Sequence, residues 1–181
     1  MITDALVAFV PLGGNLSLVG AASATIASSV FDLIGPGVGQ PPGNIIGNAA
    51  LFGTDEGVGG KRPELNISIG TAVVAASSST LKIALQAAPD TGAAGGYLPG
   101  TWSDIVSQDG LTAALLVANA VPFRTPFLPT MPPGLRPRYM RLLFTISSLG
   151  ALTAGTVSSA LVTMVRDDQA NKYAARNYSV A

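Results

Sequence analysis

The chain has 181 residues, enough to bury a core of its own, and its ten basic and ten acidic residues give a net charge of zero. Charged residues make up 11% of the chain, compared with about 25% in ordinary globular proteins. This composition excludes a basic field that would attract nucleic acid, and the absence of cysteine excludes disulfides and thiolate metal sites.

The first part of the chain predicts short strands separated by glycine-rich turns. We expect a strand or an extended arm at 1–11, a strand around 16–19 and another at 28–34. Residues 35–60 hold many glycines and prolines and indicate a long ordered loop, which is unusual in a compact domain unless it is functional. A Ca²⁺ site in this loop stays open, although no EF-hand spacing is present. Asp4 stands where a secretory signal carries positive charge, which favours a cytosolic product.

Apolar residues at spacing two predict two strands in the middle of the chain, at 65–70 and 81–86. We interpret them as a hairpin that turns across Ala75–Ser79. The next elements are predicted to be a Gly/Ala/Pro loop at 87–100, a short strand at 102–106, a turn at Asp109-Gly110 and a strand or short helix at 111–118. The neighbouring strands favour a strand for the last of these.

The segment Val121–Pro137 is rich in proline, which lacks an amide donor, so the segment is not a central strand. Its large apolar side chains must pack on this subunit or on a neighbour. Arginines in and after it can bind carboxylates of a partner or fix loops of their own chain, and the sequence leaves both open. The candidate partner interface comprises Phe123, Arg124, Phe127, Leu128, Met131, Arg136, Arg138 and Arg141.

Two further strands are predicted at 138–147 and 155–166, and we expect them to pair antiparallel across a loop with two glycines. No charge lies between Arg141 and Arg166, so a membrane helix is the alternative. Apolar residues at spacing two and a centre of Ser, Thr, Gly and Ala favour the strand pair. No internal repeat or linker is present, which predicts a single domain over residues 1–181.

The chain offers few groups for catalysis. It has no histidine and no cysteine, so the common bases, nucleophiles and transition-metal ligands are missing. The acidic neighbours Asp55-Glu56 and Asp167-Asp168 would point to opposite faces of a strand. Residues 55–62 depart from the phosphate-loop pattern, because Asp55 and Arg62 replace the required Gly and Ser/Thr. We therefore predict that the chain is not an enzyme, with no catalytic residue, no cofactor and no metal.

The second half of the chain carries a resemblance. Three motifs follow one another between Arg138 and Ala174: R-Y-M-R-L-L-F-T-I, T-A-G-T-V-S-S-A-L-V and D-D-Q-A-N-K-Y-A. Weaker matches are M-I-T-D-A-L at the start and L-K-I-A-L-Q at Leu81–Gln86. In this order the motifs resemble the capsid cement proteins of tailed bacteriophages, of the Bordetella phage type.

The resemblance implies an all-β fold, an antiparallel jelly-roll β-sandwich with long Gly/Pro-rich loops. It implies a structural virion protein, made in the bacterial host cytoplasm, that binds the outer surface of the major capsid protein shell and stabilises the head against internal DNA pressure. The expected partners are the major capsid protein and the chain itself, as a homodimer or homotrimer, with no nucleic acid and no membrane. The low charge fraction also favours self-association.

The alternative is a carbohydrate-binding or hydrolase-like jelly-roll module. Such a module would need aromatic platforms and paired carboxylates, and the chain has one tryptophan, four tyrosines and scattered acids.

Overall fold

The computed structural model describes residues 2–11, 13–32, 64–91, 98–126 and 137–164. Within these ranges the chain forms twelve strands and one 3₁₀ helix at Ala113–Leu115. The strands are β1 Ile2–Val10, β2 Leu16–Ser17, β3 Thr25–Ala27, β4 Phe31–Asp32, β5 Glu64–Ile69, β6 Val74–Ala75, β7 Thr80–Ala88, β8 Ser103–Thr112, β9 Phe123–Pro126, β10 Tyr139–Ile146, β11 Leu152–Ala154 and β12 Thr156–Met164.

These strands form two five-stranded antiparallel sheets and one two-stranded sheet. Sheet I has the order β1-β12-β5-β9, with β2 also paired to β12. Sheet II has the order β3-β10-β7-β8, with β4 also paired to β10. The short strands β6 and β11 pair with each other. β12 and β5 in sheet I, and β10 and β7 in sheet II, have partners on both sides, so they are the inner strands of their sheets.

The sequence of β10 explains its inner position. Met140, Leu142, Phe144 and Ile146 alternate with less buried residues, and none of the four is more than 1% exposed. All eight residues of the strand pair with β7 without a bulge, from Tyr139 opposite Ala88 to Ile146 opposite Leu81. Because side chains alternate between faces, this register turns one continuous apolar row into the core.

Most of the buried apolar residues of both sheets belong to one cluster. Phe9 of β1 and Phe31 of β4 join the two sheets through an edge-to-face ring contact, with 6.2 Å between ring centroids. Removing apolar surface from water stabilises the fold by about 25 cal/mol per Å². Two antiparallel sheets with a shared core are consistent with a β-sandwich.

The strands expected at 138–147 and 155–166 are confirmed as β10 and β12, but their expected pairing is wrong. β10 lies in sheet II and β12 in sheet I. The connection between them contains β11, which pairs with β6 and carries the chain from one sheet to the other. The stretch is therefore two strands rather than a membrane helix. In the described part of the chain, no helix is long and apolar enough to cross a membrane.

The hairpin expected across Ala75–Ser79 is also wrong. The strands themselves are confirmed, with Leu65, Ile67 and Ile69 fully buried in β5. However, β5 pairs with β12 and β9, whereas β7 pairs with β10 and β8. Both strands have an inward apolar face, and the two faces meet across the core rather than side by side in one sheet.

Two smaller differences concern β8. Asp109-Gly110 is not a turn between strands, because β8 continues through it to Thr112. The pairing of β8 with β7 shifts between Leu81 and Ile83, and Gly110 adopts a left-handed φ of 71° at this bulge. The segment expected as a strand at 111–118 leaves the sheet after Thr112 and forms the 3₁₀ helix.

The remaining expectations are confirmed in part. The first segment forms β1, the strand around 16–19 is the short β2, and the strand at 28–34 corresponds to β4. β9, from the proline-rich segment, pairs only with β5 among the described strands and ends at Pro126, so it lies at a sheet edge as expected. The 35–60 loop lies outside the described residues.

Candidate functional site

The candidate partner interface divides into buried, exposed and undescribed residues. Phe123 is 2% exposed and belongs to the core, so its side chain packs on its own subunit. Arg124 follows it with 58% of its side chain exposed, and it forms an ion pair with Glu64 on the neighbouring β5. Of the described candidates, Arg124 is the most accessible to a partner. The other residues of the proline-rich segment, Phe127, Leu128, Met131 and Arg136, lie outside the described residues.

Arg138 joins three segments of its own chain. Its side chain is 13% exposed, and Nε and Nη2 each donate to a carboxylate oxygen of Asp32 at 3.2 Å. Nη1 donates to Asp90 at 2.5 Å. The hydrogen bonds with Asp32 raise the pKa of Arg138 above its usual value. This fork geometry holds β4 and the segment after β7 against the start of β10.

Arg141 is the first member of a polar network on the outer face of sheet II. Its guanidinium lies 4.2 Å from the centroid of the Trp102 ring, and Nε donates to the Gln86 amide oxygen at 2.9 Å. The Gln86 amide nitrogen donates to Asp104 at 2.7 Å. Lys82 donates to the other Asp104 oxygen at 2.8 Å. The network, Arg141–Gln86–Asp104–Lys82, crosses β10, β7 and β8.

The protonation energetics of the network follow from these contacts. The hydrogen bond from Lys82 lowers the pKa of Asp104 and raises that of Lys82. Burial lowers the pKa of Arg141, because the charged form loses water. Gln86 is 7% exposed, so both halves of its amide need the partners that the network provides. Arg138 and Arg141 therefore both brace their own subunit.

A cleft of about 370 Å³ opens beside the network near Lys82. Its walls offer hydroxyl groups together with one ammonium and one carboxylate, which suits small polar molecules. The lining residues are Ser23, Thr80, Lys82, Asp109, Thr145, Ile146, Ser147 and Ser148.

A different surface is formed where β5 and β10 end. Four connections meet there: residues 18–24, 70–79, 113–122 and 147–155. Backbone hydrogen bonds link each of them to another, and no residue in them is charged. We call these four connections the uncharged end.

The uncharged end also holds most of the exposed large apolar side chains. Eight such side chains are exposed among the described residues, and six belong to these connections. The six are Val19, Val74, Leu115, Val117, Val121 and Leu149, whereas Val30 and Leu98 lie elsewhere. Sequence reasoning does not find this surface, because its four segments are distant in the chain. The signal in the sequence is that each connection is a run without charge.

The described residues include no group of three or more His, Cys, Asp or Glu that could hold a metal ion. No protein-family model matches the chain, and no curated protein is similar to it.

Proposed function

We propose that the chain is a structural cement protein of a tailed-bacteriophage capsid and does no chemistry. It binds the outer surface of the shell formed by the major capsid protein and stabilises the head against internal DNA pressure. The proposal includes jelly-roll connectivity in a single domain over residues 1–181.

The position of the resembling motifs carries this proposal. R-Y-M-R-L-L-F-T-I coincides with β10, and T-A-G-T-V-S-S-A-L-V covers most of β12. Both are inner strands, β10 in sheet II and β12 in sheet I. The resemblance therefore concerns one inner strand of each sheet, not a surface loop. The third motif, after Asp167, lies outside the described residues.

The charged groups support a mechanical role. Arg138 is bound to Asp32 and Asp90, and Lys82 is bound to Asp104. These contacts tie neighbouring strands of sheet II together, so ion pairs brace this sheet. A stiff body that bridges two shell subunits transmits force between them instead of deforming.

Bridging stabilises only the assembled shell, and the effect follows from mass action. A ligand that binds one state alone stabilises it by about 2.7 kcal/mol at a concentration 100-fold above its dissociation constant. Many copies on one head add their contributions. Arg124, exposed on β9, is the described member of the candidate set best placed to contact the shell.

The test compares heads of the phage that encodes the chain, assembled with and without it. Both are heated, and DNA release is followed with an intercalating dye. We expect release at a lower temperature without the protein, restored when purified protein is added back. Equal release temperatures would remove the cement role, even if the protein were found on the head.

The cleft beside Lys82 favours one second candidate, a carbohydrate-binding module. Its hydroxyl-rich walls could bind a sugar, although the nearby Trp102 ring already has Arg141 stacked over it. A glycan-binding screen with wild type and Lys82→Ala separates the two functions. Glycan binding that disappears in Lys82→Ala would favour the module over the cement protein.

A further inference from the structure

We propose that Asp109-Gly110 is a site of spontaneous modification, where the folded chain closes a succinimide ring that then opens to an isoaspartyl linkage. The inference rests on the backbone geometry of the bulge that these two residues form in β8. It goes beyond the cement role and does not depend on it, because the reaction needs only this chain and water.

The bulge frees the backbone of these two residues from the strand ladder. The pairing of β8 with β7 shifts at Lys82, and Asp109 and Gly110 both lie opposite this single residue. In such a bulge the extra residue makes no ladder hydrogen bond. Gly110 has a left-handed φ of 71°, which glycine adopts without steric cost. The Gly110 amide is therefore available for a local contact.

This amide contacts the carboxyl group of the preceding residue. The Gly110 amide nitrogen donates a hydrogen bond to Oδ1 of Asp109 at 2.7 Å. Cγ is bonded to Oδ1, so the contact holds the carbon that is attacked close to the nitrogen that attacks it. Holding two reacting groups together lowers the entropy cost of their reaction. The same hydrogen bond directs the amide proton at an oxygen with which it can leave as water.

The chemistry needs no other reagent. The Gly110 nitrogen bonds to Cγ of the protonated Asp109 carboxyl, the bond from Cγ to the hydroxyl oxygen breaks, and the hydroxyl leaves with the amide proton as one water. The product is a five-membered succinimide ring. Water then adds to one of the two ring carbonyls. Opening of the bond between nitrogen and Cγ restores aspartate, whereas opening at the main-chain carbonyl leaves a backbone that runs through Cβ, the isoaspartyl linkage.

The surroundings leave room for the ring. Asp109 and Gly110 are both exposed. In the described part of the chain, nothing lies within 4 Å of the position that a Cβ atom would take on Gly110. The ring can therefore form without a clash with a neighbouring element, and water can reach its carbonyls.

Two other aspartates of the chain provide the comparison. Asp90 and Asp104 are followed by the β-branched residues Thr91 and Ile105, whose side chains crowd the amide that would attack. The Thr91 amide already donates to the Leu98 carbonyl at 3.0 Å. Both carboxylates are also bound by cations of their own chain. We therefore expect ring closure to be slow at both aspartates.

The modification changes the cleft beside Lys82, because Asp109 is one of the residues that line it. The succinimide removes a negative charge from this wall, and the isoaspartyl linkage adds one methylene to the main chain of β8. Modified chains accumulate with time, so the fraction that is modified measures the age of the protein.

The test incubates the purified full-length chain for several weeks at physiological temperature in a mildly acidic buffer. Peptide mapping by mass spectrometry detects the succinimide as the loss of one water, and electron-based fragmentation distinguishes isoaspartyl from aspartyl linkages. We expect modification at position 109 to be at least about tenfold faster than at Asp90 or Asp104, because glycine has no side chain to obstruct the ring.

Asp109→Glu is the matched control, because it keeps the charge but would have to close a six-membered ring, and it should show no modification at this position. A folded wild-type chain that stays unmodified would overturn the proposal. Wild type unfolded in urea and incubated in parallel would then show whether the fold protects the dipeptide. Equal modification at all three aspartates, or equal modification of wild type and Asp109→Glu at position 109, would also refute the proposal.

Discussion

The guanidinium carbon of Arg141 lies 4.2 Å from the centroid of the Trp102 ring, so a cation stacks on the chain's only tryptophan. The same guanidinium binds Gln86, and the polar network begins at this point. The contact joins the inner strand β10 of sheet II to the residue just before the edge strand β8. It also makes the fluorescence of Trp102 a direct reporter of the network.

We expect Arg141→Ala to fold but to lose about 1–3 kcal/mol of unfolding free energy, from the lost cation–π contact and from a buried Gln86 amide left short of one partner. Trp102 emission should shift to longer wavelength as water reaches the ring. Chemical unfolding followed by fluorescence measures both effects. The control is Arg124→Ala, which removes a 58% exposed side chain and should change stability by less than about 1 kcal/mol. Equal effects of the two substitutions would show that the stacking is unimportant.

Arg138 should be more sensitive, because two carboxylates depend on it. Arg138→Met leaves Asp32 and Asp90 without their shared cation, and both carboxylates are less than one-third exposed. We expect a loss of about 2–4 kcal/mol, somewhat below the cost of breaking a fully buried pair. Thermal unfolding measures it. Adding Asp32→Asn and Asp90→Asn to the Met variant should recover part of the loss, and no recovery would contradict the electrostatic explanation.

Phe144 tests the core of sheet II. It is fully buried in β10, so Phe144→Asp should abolish folding, because an unpaired charge is too costly to bury. Phe144→Ala should fold with a loss of about 3–5 kcal/mol. Thr145→Ser, one residue along and on the other face, is the control and should cost less than about 1 kcal/mol. Circular dichroism and urea titration separate the three. A folded Phe144→Asp would place this row outside the core.

The lowered pKa of Asp104 makes a prediction for acid. A carboxyl with a lower pKa in the folded state stabilises the fold above its unfolded pKa, and that stabilisation is lost as pH falls through the folded value. The contribution should therefore be complete at pH 7 and decline below about pH 4, near the ordinary value of 3.8. Asp104→Asn should be less stable than wild type at pH 7 and close to it at pH 2. If the stability difference between Asp104→Asn and wild type did not change with pH, the ionisation of Asp104 would not be its cause.

The sequence predicts the strands better than it predicts their partners. The alternation in Leu65, Ile67 and Ile69 and in the row ending at Ile146 identifies β5 and β10, because one face of each strand is buried. The same alternation cannot say which strand lies beside which. The crossings between sheets depend on β6 and β11, and these are too short to show a period.

Other features could not be predicted because they combine distant parts of the chain. Asp-Gly gives the same signal for a turn and for the bulge at Gly110, and only the pairing with β7 distinguishes them. Arg138 is recognisable as a candidate ligand of carboxylates, but Asp32 and Asp90 become its partners only through the sheet order. The uncharged end requires four separated runs to meet.

The place of β12 between β1 and β5 has a consequence for biosynthesis. β1 and β5 lie in the first half of the chain. Both nevertheless pair with β12, the last strand that the structure describes. Sheet I therefore cannot form until the ribosome has synthesised β12, which begins at Thr156. Until then β1 lacks this pairing partner. Strand pairing between residues far apart in the sequence is slow. Strand edges that stay unpaired during this time can pair with other chains and cause aggregation. We expect sheet I to form only after β12 has left the ribosome, and the chain to aggregate when expression outpaces that step.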